Sequence, residues 1–159
     1  MAIYKAGDTI GKLYKGSNQI GKVYKGGTLV YTAESEPVTL ESSVNQSGEY
    51  NNLNWNHAEY NITEDWDTLT VISSVWGKSF GKFETALYLI EGSTQTELIK
   101  QSGAYNGYPD SVKESELVAV GTTYKVKKGQ KVRLSVGASY DSNVSTPLIT
   151  TSSITFKFT

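Results

Sequence analysis

Residues 152–159 read SSITFKFT and carry the clearest β-strand signal in the chain. Ile154, Phe156 and Phe158 alternate with Thr155 and Lys157, so apolar and polar side chains fall on opposite faces of an extended strand. Such strict alternation is typical of an antiparallel sheet that has one face on a core and the other in water. The stretch therefore predicts an antiparallel sheet with one buried face.

Similar patterns recur upstream of this strand. Residues 82–91, KFETALYLIE, alternate in the same way, and residues 68–76, TLTVISSVW, are apolar enough for an inner strand. Residues 123–138, TYKVKKGQKVRLSVGA, predict a hairpin around Lys-Lys-Gly-Gln, with Lys131, Arg133 and Ser135 on the wet face. Further strands are predicted in VTLESSV (38–44), in 50–60, in TELIK (96–100) and in ELVAV (116–120), and a helical turn capped by Asp110 is predicted in PDSVKESEL (109–117).

The predicted strands number eight or nine over about 120 residues, and the composition supports them. The chain has 11 Tyr and three Trp but only three Pro, and aromatic residues suit a pleated, half-buried surface. The absence of cysteine excludes disulfides and thiolate metal sites. The predicted fold is all-β: an antiparallel β-sandwich with jelly-roll-like connections.

The first 32 residues are organised differently, because residues 3–32 state one ten-residue phrase three times: IYKAGDTIGK, LYKGSNQIGK and VYKGGTLVYT. Short apolar runs separated by Gly, Ser, Asn and Asp predict a small antiparallel β-meander with tight turns. About 30 residues bury too little surface to be stable alone, so this segment should pack on a partner. The side chains expected to make that contact are Ile3, Tyr4, Ile10, Leu13, Tyr14, Ile20, Val23, Tyr24 and Val30.

The charge distribution follows the same division. Residues 1–32 carry five lysines and one acidic residue, a net charge of +4, whereas residues 33–159 carry ten basic and fifteen acidic groups, a net charge of −5. We predict an attachment and oligomerisation segment at 1–32, a linker at 33–37 and a body domain at 38–159.

Nucleic-acid binding is not expected, since Arg133 is the only arginine and arginine makes most bidentate phosphate and base contacts.

The repeat resembles N-terminal segments of tailed-bacteriophage structural proteins, a class that includes head fibres, baseplate components and tail adhesins. The resemblance rests on IGKLYKG (10–16) and IGKVYKG (20–26) and covers residues 1–32. It implies a virion-surface protein, made in the host cytoplasm, whose repeat docks on other virion proteins of a capsid or tail platform. A homo-oligomer is expected, with a trimer preferred, because three short segments can intertwine and cover their apolar faces. No apolar run approaches the roughly 20 residues of a membrane helix, so no membrane partner is expected.

Catalytic chemistry is not predicted. His57 is the only histidine, and Ile72 occupies the position where GKSFGK (77–82) would need glycine for a phosphate loop. We expect His57 to be an exposed or hydrogen-bonded loop residue.

Glu64, Asp65 and Asp67 are the one dense acidic cluster in the sequence. No glycine-centred ligand loop follows them, so a solvated turn is favoured over a Ca²⁺ site. Neither a metal nor a cofactor is expected.

Two segments combine aromatic rings with amides, GEYNNLNWNHAEYN (48–61) and GAYNGYPDS (103–111). A flat ring can stack on a sugar while amides bind its hydroxyls, so candidate glycan-binding residues are Trp55, Tyr105, Asn106 and Tyr108. The competing interpretation places the tryptophans in the core, and it is preferred for Trp76. Three functions stay open: a virion subunit whose body binds host-surface glycans, a pure capsid decoration protein with no ligand, and a carbohydrate-active enzyme of a phage tail.

Overall fold

The computed structural model describes residues 14–15, 18–20, 22–45, 53–78, 81–105, 113–139 and 149–159. These residues form thirteen β-strands and no helix, which confirms the all-β prediction. The strands are β1 Tyr14–Lys15, β2 Asn18–Gln19, β3 Lys22–Lys25, β4 Thr28–Thr32, β5 Val38–Asn45, β6 Asn54–Asn61, β7 Thr68–Lys78, β8 Gly81–Glu91, β9 Thr94–Tyr105, β10 Lys113–Ser115, β11 Thr123–Lys125, β12 Lys131–Ala138 and β13 Ile149–Phe158.

The strands from β5 onward form two packed antiparallel sheets. The first sheet has the order β10-β7-β13-β5, with β11 also paired to β7, and the second has the order β6-β12-β8-β9. The pairs are nested: β5 with β13, β6 with β12, β7 with β10 and β11, and β8 with β9. One long antiparallel ribbon, turned at β8–β9 and rolled into two layers, gives this pairing. It is the arrangement of a jelly roll, so the predicted sandwich and its connections are confirmed.

The core is centred on β13, where the alternation of SSITFKFT appears directly in burial. Ile154, Phe156 and Phe158 are fully buried. The ring of Phe158 lies 5.3 Å from that of Phe156 and stacks on Trp66 at 6.3 Å, both between ring centroids. Aromatic pairs at these separations add to the stabilisation from burial alone. The alternation in the last eight residues therefore places the apolar side chains of β13 in the core, as the sequence predicts.

A polar contact joins the two sheets inside the sandwich. The hydroxyls of Thr85 on β8 and Ser152 on β13 lie 2.9 Å apart, and both residues are buried. Each hydroxyl satisfies the other, which matters because a buried polar atom without a partner costs about 1–3 kcal/mol. The pair therefore sets the relative position of the two layers at this level.

The predicted hairpin at 123–138 is wrong. β11 pairs with β7 in the first sheet, whereas β12 pairs with β6 and β8 in the second. The turn between them crosses from one layer to the other, and Ile62 holds it by donating to the carbonyl of Gln130 at 2.9 Å and accepting from Gly129 at 2.8 Å. Alternation identifies the two strands, but it cannot tell a partner across the turn from a partner in the opposite sheet.

The predictions for 109–120 also need correction. Residues 113–115 form β10 instead of a helical turn, residues 116–120 form a turn instead of a strand, and Asp110 lies outside the described residues. The adjacent side chains of Leu117 and Val118 are both buried, which a strand with one wet face does not allow. The Ser74 hydroxyl fixes this turn, because it donates to the Val118 carbonyl at 2.7 Å and accepts from the Val118 amide at 2.9 Å.

The described part of the N-terminal repeat forms two hairpins. β1 pairs with β2 and β3 pairs with β4, both antiparallel, as two separate two-stranded sheets. The predicted strands are therefore present, but within residues 14–15, 18–20 and 22–32 they do not join into one continuous meander. Gly26 and Gly27 connect β3 to β4 with φ of 57° and 82°, and positive φ at both central residues suits a tight hairpin turn.

The segment predicted as a linker, residues 33–37, is held against the body. Ala33 is fully buried in the core. Ser35 donates its amide to the Phe158 carbonyl and accepts the Phe158 amide on its hydroxyl, both at 2.9 Å. Lys22, at the base of the β3–β4 hairpin, forms an ion pair with Asp67. The base of the hairpin is thus tied to the sandwich, while the division into an attachment segment and a body stays a prediction.

Candidate functional site

The face of the second sheet that points away from the core, here called the outer face, carries the exposed aromatic and charged side chains of β6, β8 and β12. The strand registers define three rows across it: Trp55–Gly137–Glu84–Ser102, His57–Ser135–Ala86–Lys100 and Glu59–Arg133–Tyr88. The opposite side chains of β12, Val132, Leu134 and Val136, are fully buried in the core. The rows therefore belong to the solvent side of the sandwich.

Trp55 lies flat over Gly137. A Cβ atom added to Gly137 would stand 2.9 Å from Cδ2, Cε2 and Cε3 of the indole, closer than real Cβ contacts allow. Only glycine permits this approach, and it lets one face of the indole rest on the backbone of β12. Trp55 is 42% exposed, whereas Trp66 and Trp76 are buried, which confirms the core position of Trp76. The open face of Trp55 is therefore available to solvent.

His57 continues the flat surface along β6. Its ring plane is within 18° of that of Trp55, and the ring centroids are 6.4 Å apart, close to the ~6.8 Å spacing of alternate residues on a strand. His57 Nδ1 lies 2.9 Å from the hydroxyl of Ser135. His57 is exposed and hydrogen-bonded as expected, but it lies in a strand and not in a loop. Ser135, expected on the wet face, is buried on the outer face.

The charged groups of the outer face are paired with one another. A carboxylate oxygen of Glu84 lies 2.8 Å from Nζ of Lys100. The carboxylate oxygens of Glu59 lie 2.7 Å from Nζ of Lys131 and 2.6 Å from a guanidinium nitrogen of Arg133. The hydrogen bond from Lys131, together with Arg133, holds the pKa of Glu59 below its usual value. The hydrogen bond to Glu84 raises the pKa of Lys100. Both shifts favour the charged forms of Glu59 and Lys100.

Of the other predicted glycan-binding residues, only Tyr105 lies within the described strands, and its strand is not next to that of Trp55. Tyr105 is the last residue of β9 and pairs with Gly81, and β9 lies at the opposite edge of the sheet from β6. Three interstrand spacings, about 14 Å, separate the two edges. Asn106 and Tyr108 lie outside the described residues. The neighbours that Trp55 does have, Gly137 and Glu84, were missed, because only the strand register brings them beside it.

The acidic cluster lies at one end of the sandwich. Glu64, Asp65 and Asp67 are exposed. Asp67 pairs with Lys22, and an Asp65 oxygen lies 3.8 Å from Nζ of Lys128. Over the part of the chain that the structure describes, no group of three or more His, Cys, Asp or Glu residues is arranged to hold a metal ion, and no helix is long and apolar enough to cross a membrane.

The predicted docking residues are only partly within the described chain. Ile20 and Val23 are half-buried, and Tyr24 is 59% exposed. Tyr14 lies in β1 and Val30 in β4. Ile3, Tyr4, Ile10 and Leu13 lie outside the described residues. In the part that can be seen, the repeat thus presents a large aromatic side chain to solvent.

Comparison with known proteins gives little beyond the fold. No protein-family model matches the chain, and no curated protein matches it. A solved structure titled "Structure of infectious bursal disease virus Gt strain" is similar, with 12% sequence identity and a TM-score of 0.45. The match covers 87% of this chain and 38% of the viral chain. A similarity of this size carries no argument about function.

Proposed function

We propose that this chain is a noncatalytic structural subunit of a bacteriophage virion, a head-fibre or tail-appendage protein. Its N-terminal repeat anchors it to the particle, and its jelly roll projects outward, where it binds host-surface glycan. The observation that carries the proposal is the β3–β4 hairpin, which is attached to the sandwich at its base and exposes Tyr24.

The hairpin has little packing of its own. β3 and β4 pack chiefly against each other, and no described side chain of β3 belongs to the core of the sandwich. An isolated two-stranded hairpin is marginally stable in water at best. A second surface that covers Tyr24 would supply the missing burial. We assign that surface to further copies of the chain, in a trimer, and to the virion proteins on which the trimer stands.

The body suits the projecting role. A jelly roll closes its two sheets over one core and recurs in viral capsid proteins and in lectin domains. Fold does not determine function, so the jelly roll supports the proposal without carrying it. The resemblance of IGKLYKG and IGKVYKG to tailed-phage structural proteins supplies the class of particle.

Sedimentation velocity of the full chain tests the oligomerisation step. The unaltered chain should sediment as a trimer, and a variant with Tyr4, Tyr14 and Tyr24 replaced by serine should sediment as a monomer with the same circular-dichroism spectrum. The matched control replaces Ile72 and Val120, which are exposed apolar residues of the body, by serine and should remain trimeric. A monomeric unaltered chain, or a repeat variant that stays trimeric, would contradict the proposal.

Immunoelectron microscopy tests the location. An antibody raised against the purified chain should label the surface of intact particles from the same source, at capsid or tail positions. Labelling confined to host cell components, with clean particles, would overturn the assignment to a virion.

A further inference from the structure

The outer face holds one aromatic surface in a fixed position. Gly137 beneath the indole and His57 beside it restrict Trp55 on two sides, so its open face is a flat platform. A platform that is already ordered loses little side-chain entropy when a ligand stacks on it.

Hydrogen-bonding groups stand next to this platform. Because the indole lies over β12, the neighbouring strand β8 places Glu84 about one strand spacing, ~5 Å, to its side. Glu84 is bound to Lys100, so a carboxylate oxygen and an ammonium group lie together on the β8 side of the indole. An apolar surface bordered by a few fixed donors and acceptors is the usual construction of a small-ligand site.

The size of the surface selects a small ligand. A tryptophan offers at most about 250 Å² in all, whereas a stable protein interface buries about 800 Å² on each partner. The charges beside the indole select a neutral one, because Glu84 and Lys100 neutralise each other. A neutral pyranose has an apolar ring face and several hydroxyls, and it matches both features.

We infer that the outer face binds a neutral sugar ring, stacked on Trp55, with its hydroxyls bound by Glu84 and Lys100. Gly137 is the specificity-determining position, because it sets the height of the indole above β12. The inference rests on the part of the proposed function that assigns glycan binding to the body, and it is independent of docking by the repeat.

Nuclear magnetic resonance of the full chain can test this site directly. The three tryptophans give three indole N–H signals, and Trp55→Phe identifies the signal of Trp55. The probes are oligosaccharides of glucose, galactose, mannose and N-acetylglucosamine, with sialylated and sulfated glycans in parallel. At least one neutral oligosaccharide should shift the Trp55 signal while Trp66 and Trp76, both buried, stay fixed as internal references.

Two substitutions test whether the position of the indole, and not the fold as a whole, determines sugar binding. Trp55→Ala should raise the dissociation constant of the bound oligosaccharide about tenfold, the loss expected when an aromatic contact is removed. Gly137→Ala keeps every functional group but displaces the indole, and it should also weaken binding several-fold. Tyr24→Ser is the control and should bind as the unaltered chain does.

The possible results are distinguishable. No shift with any neutral oligosaccharide, a stronger response to the acidic glycans, or equal binding by Trp55→Ala would overturn the inference. A trimer that binds no sugar would contradict only this site, whereas a monomer that binds sugar would contradict only docking by the repeat.

Discussion

β13 and β3 are both strands of antiparallel pairs, yet their aromatic residues have opposite environments. Phe156 on β13 is fully buried, whereas Tyr24 on β3 is 59% exposed. β13 is paired on both sides, by β5 and β7, and is covered by a second sheet, while β3 pairs only with β4 among the described strands. The comparison shows that a turn and a paired strand are enough to make a hairpin. A core requires a second layer, which covers β13 and which the described part of the repeat does not form.

The largest effect is expected from Phe156→Ala. Removal of a fully buried ring should lower the free energy of unfolding by about 3–5 kcal/mol, because the transfer energy is lost and a cavity remains. Urea denaturation monitored by tryptophan fluorescence measures it. Ile72→Ala, at a partly exposed position on β7, is the control and should cost far less. A cost under about 1 kcal/mol for Phe156→Ala would mean that β13 is not the centre of the core.

Thr85→Val tests the polar contact between the layers. The substitution keeps the shape of the side chain but leaves the Ser152 hydroxyl buried without a partner, at a cost of about 1–3 kcal/mol. The double variant Thr85→Val/Ser152→Ala removes both hydroxyls and should recover part of that loss. If the double variant is less stable than the sum of its two single changes, the contact does not work as described.

A matched pair of glycines compares the two regions directly. Gly129, in the turn that crosses between the sheets, has φ of 87°, and Gly27, in the β3–β4 hairpin, has φ of 82°. Neither would bring a new Cβ within 4 Å of another group, so Gly→Ala introduces the same backbone strain of about 1–2 kcal/mol in both. Gly129→Ala should lower the free energy of unfolding of the sandwich by about 1–2 kcal/mol. Gly27→Ala should lower it by less than about 0.5 kcal/mol, because the strained hairpin can unfold while the sandwich stays folded.

Thermal unfolding of the two glycine variants at one protein concentration measures this difference. Equal losses would show that the hairpin unfolds together with the sandwich, which would remove the distinction between the two regions.

The smallest effect is expected from Glu59→Gln, and it depends on pH. The pKa of Glu59 is lower in the folded chain than its ordinary value of 4.5, so its contribution to stability is present above pH 4.5 and is lost as the pH falls through the folded pKa. The group is exposed, which limits the loss at pH 7 to at most about 1 kcal/mol. Denaturation from pH 7 to pH 3 should show the two proteins converging, and 1 M salt should reduce the difference. A constant difference across that range would contradict the ion-pair explanation.

Local sequence patterns predicted individual strands and tight turns of this structure. The alternation in residues 152–159 predicted a strand with one buried face, because side-chain direction in an extended chain depends only on position along it. Gly26 and Gly27 predicted a tight turn, because φ > 0 is available to glycine without steric cost. The all-β class and the extra N-terminal repeat follow from the same kind of local information.

Local patterns could not predict which strands pair with each other. The stretch at 123–138 shows two alternating strands around a turn, but β11 and β12 belong to different sheets, and Val126 and Val132 are both buried in the core. In the same way, composition predicted Trp55 as a stacking residue but could not predict the groups that lie beside it. Its real neighbour, Gly137, is distant in the sequence.

The sequence by itself determined most of the strands, the tight turn at Gly26 and Gly27, and that residues 3–32 repeat one phrase. Only the tertiary structure decided which strands meet, and so which side chains share the outer face. The physical reason is that strand formation depends on local backbone geometry, whereas strand pairing in a jelly roll is settled by the joint burial of apolar residues far apart in the chain.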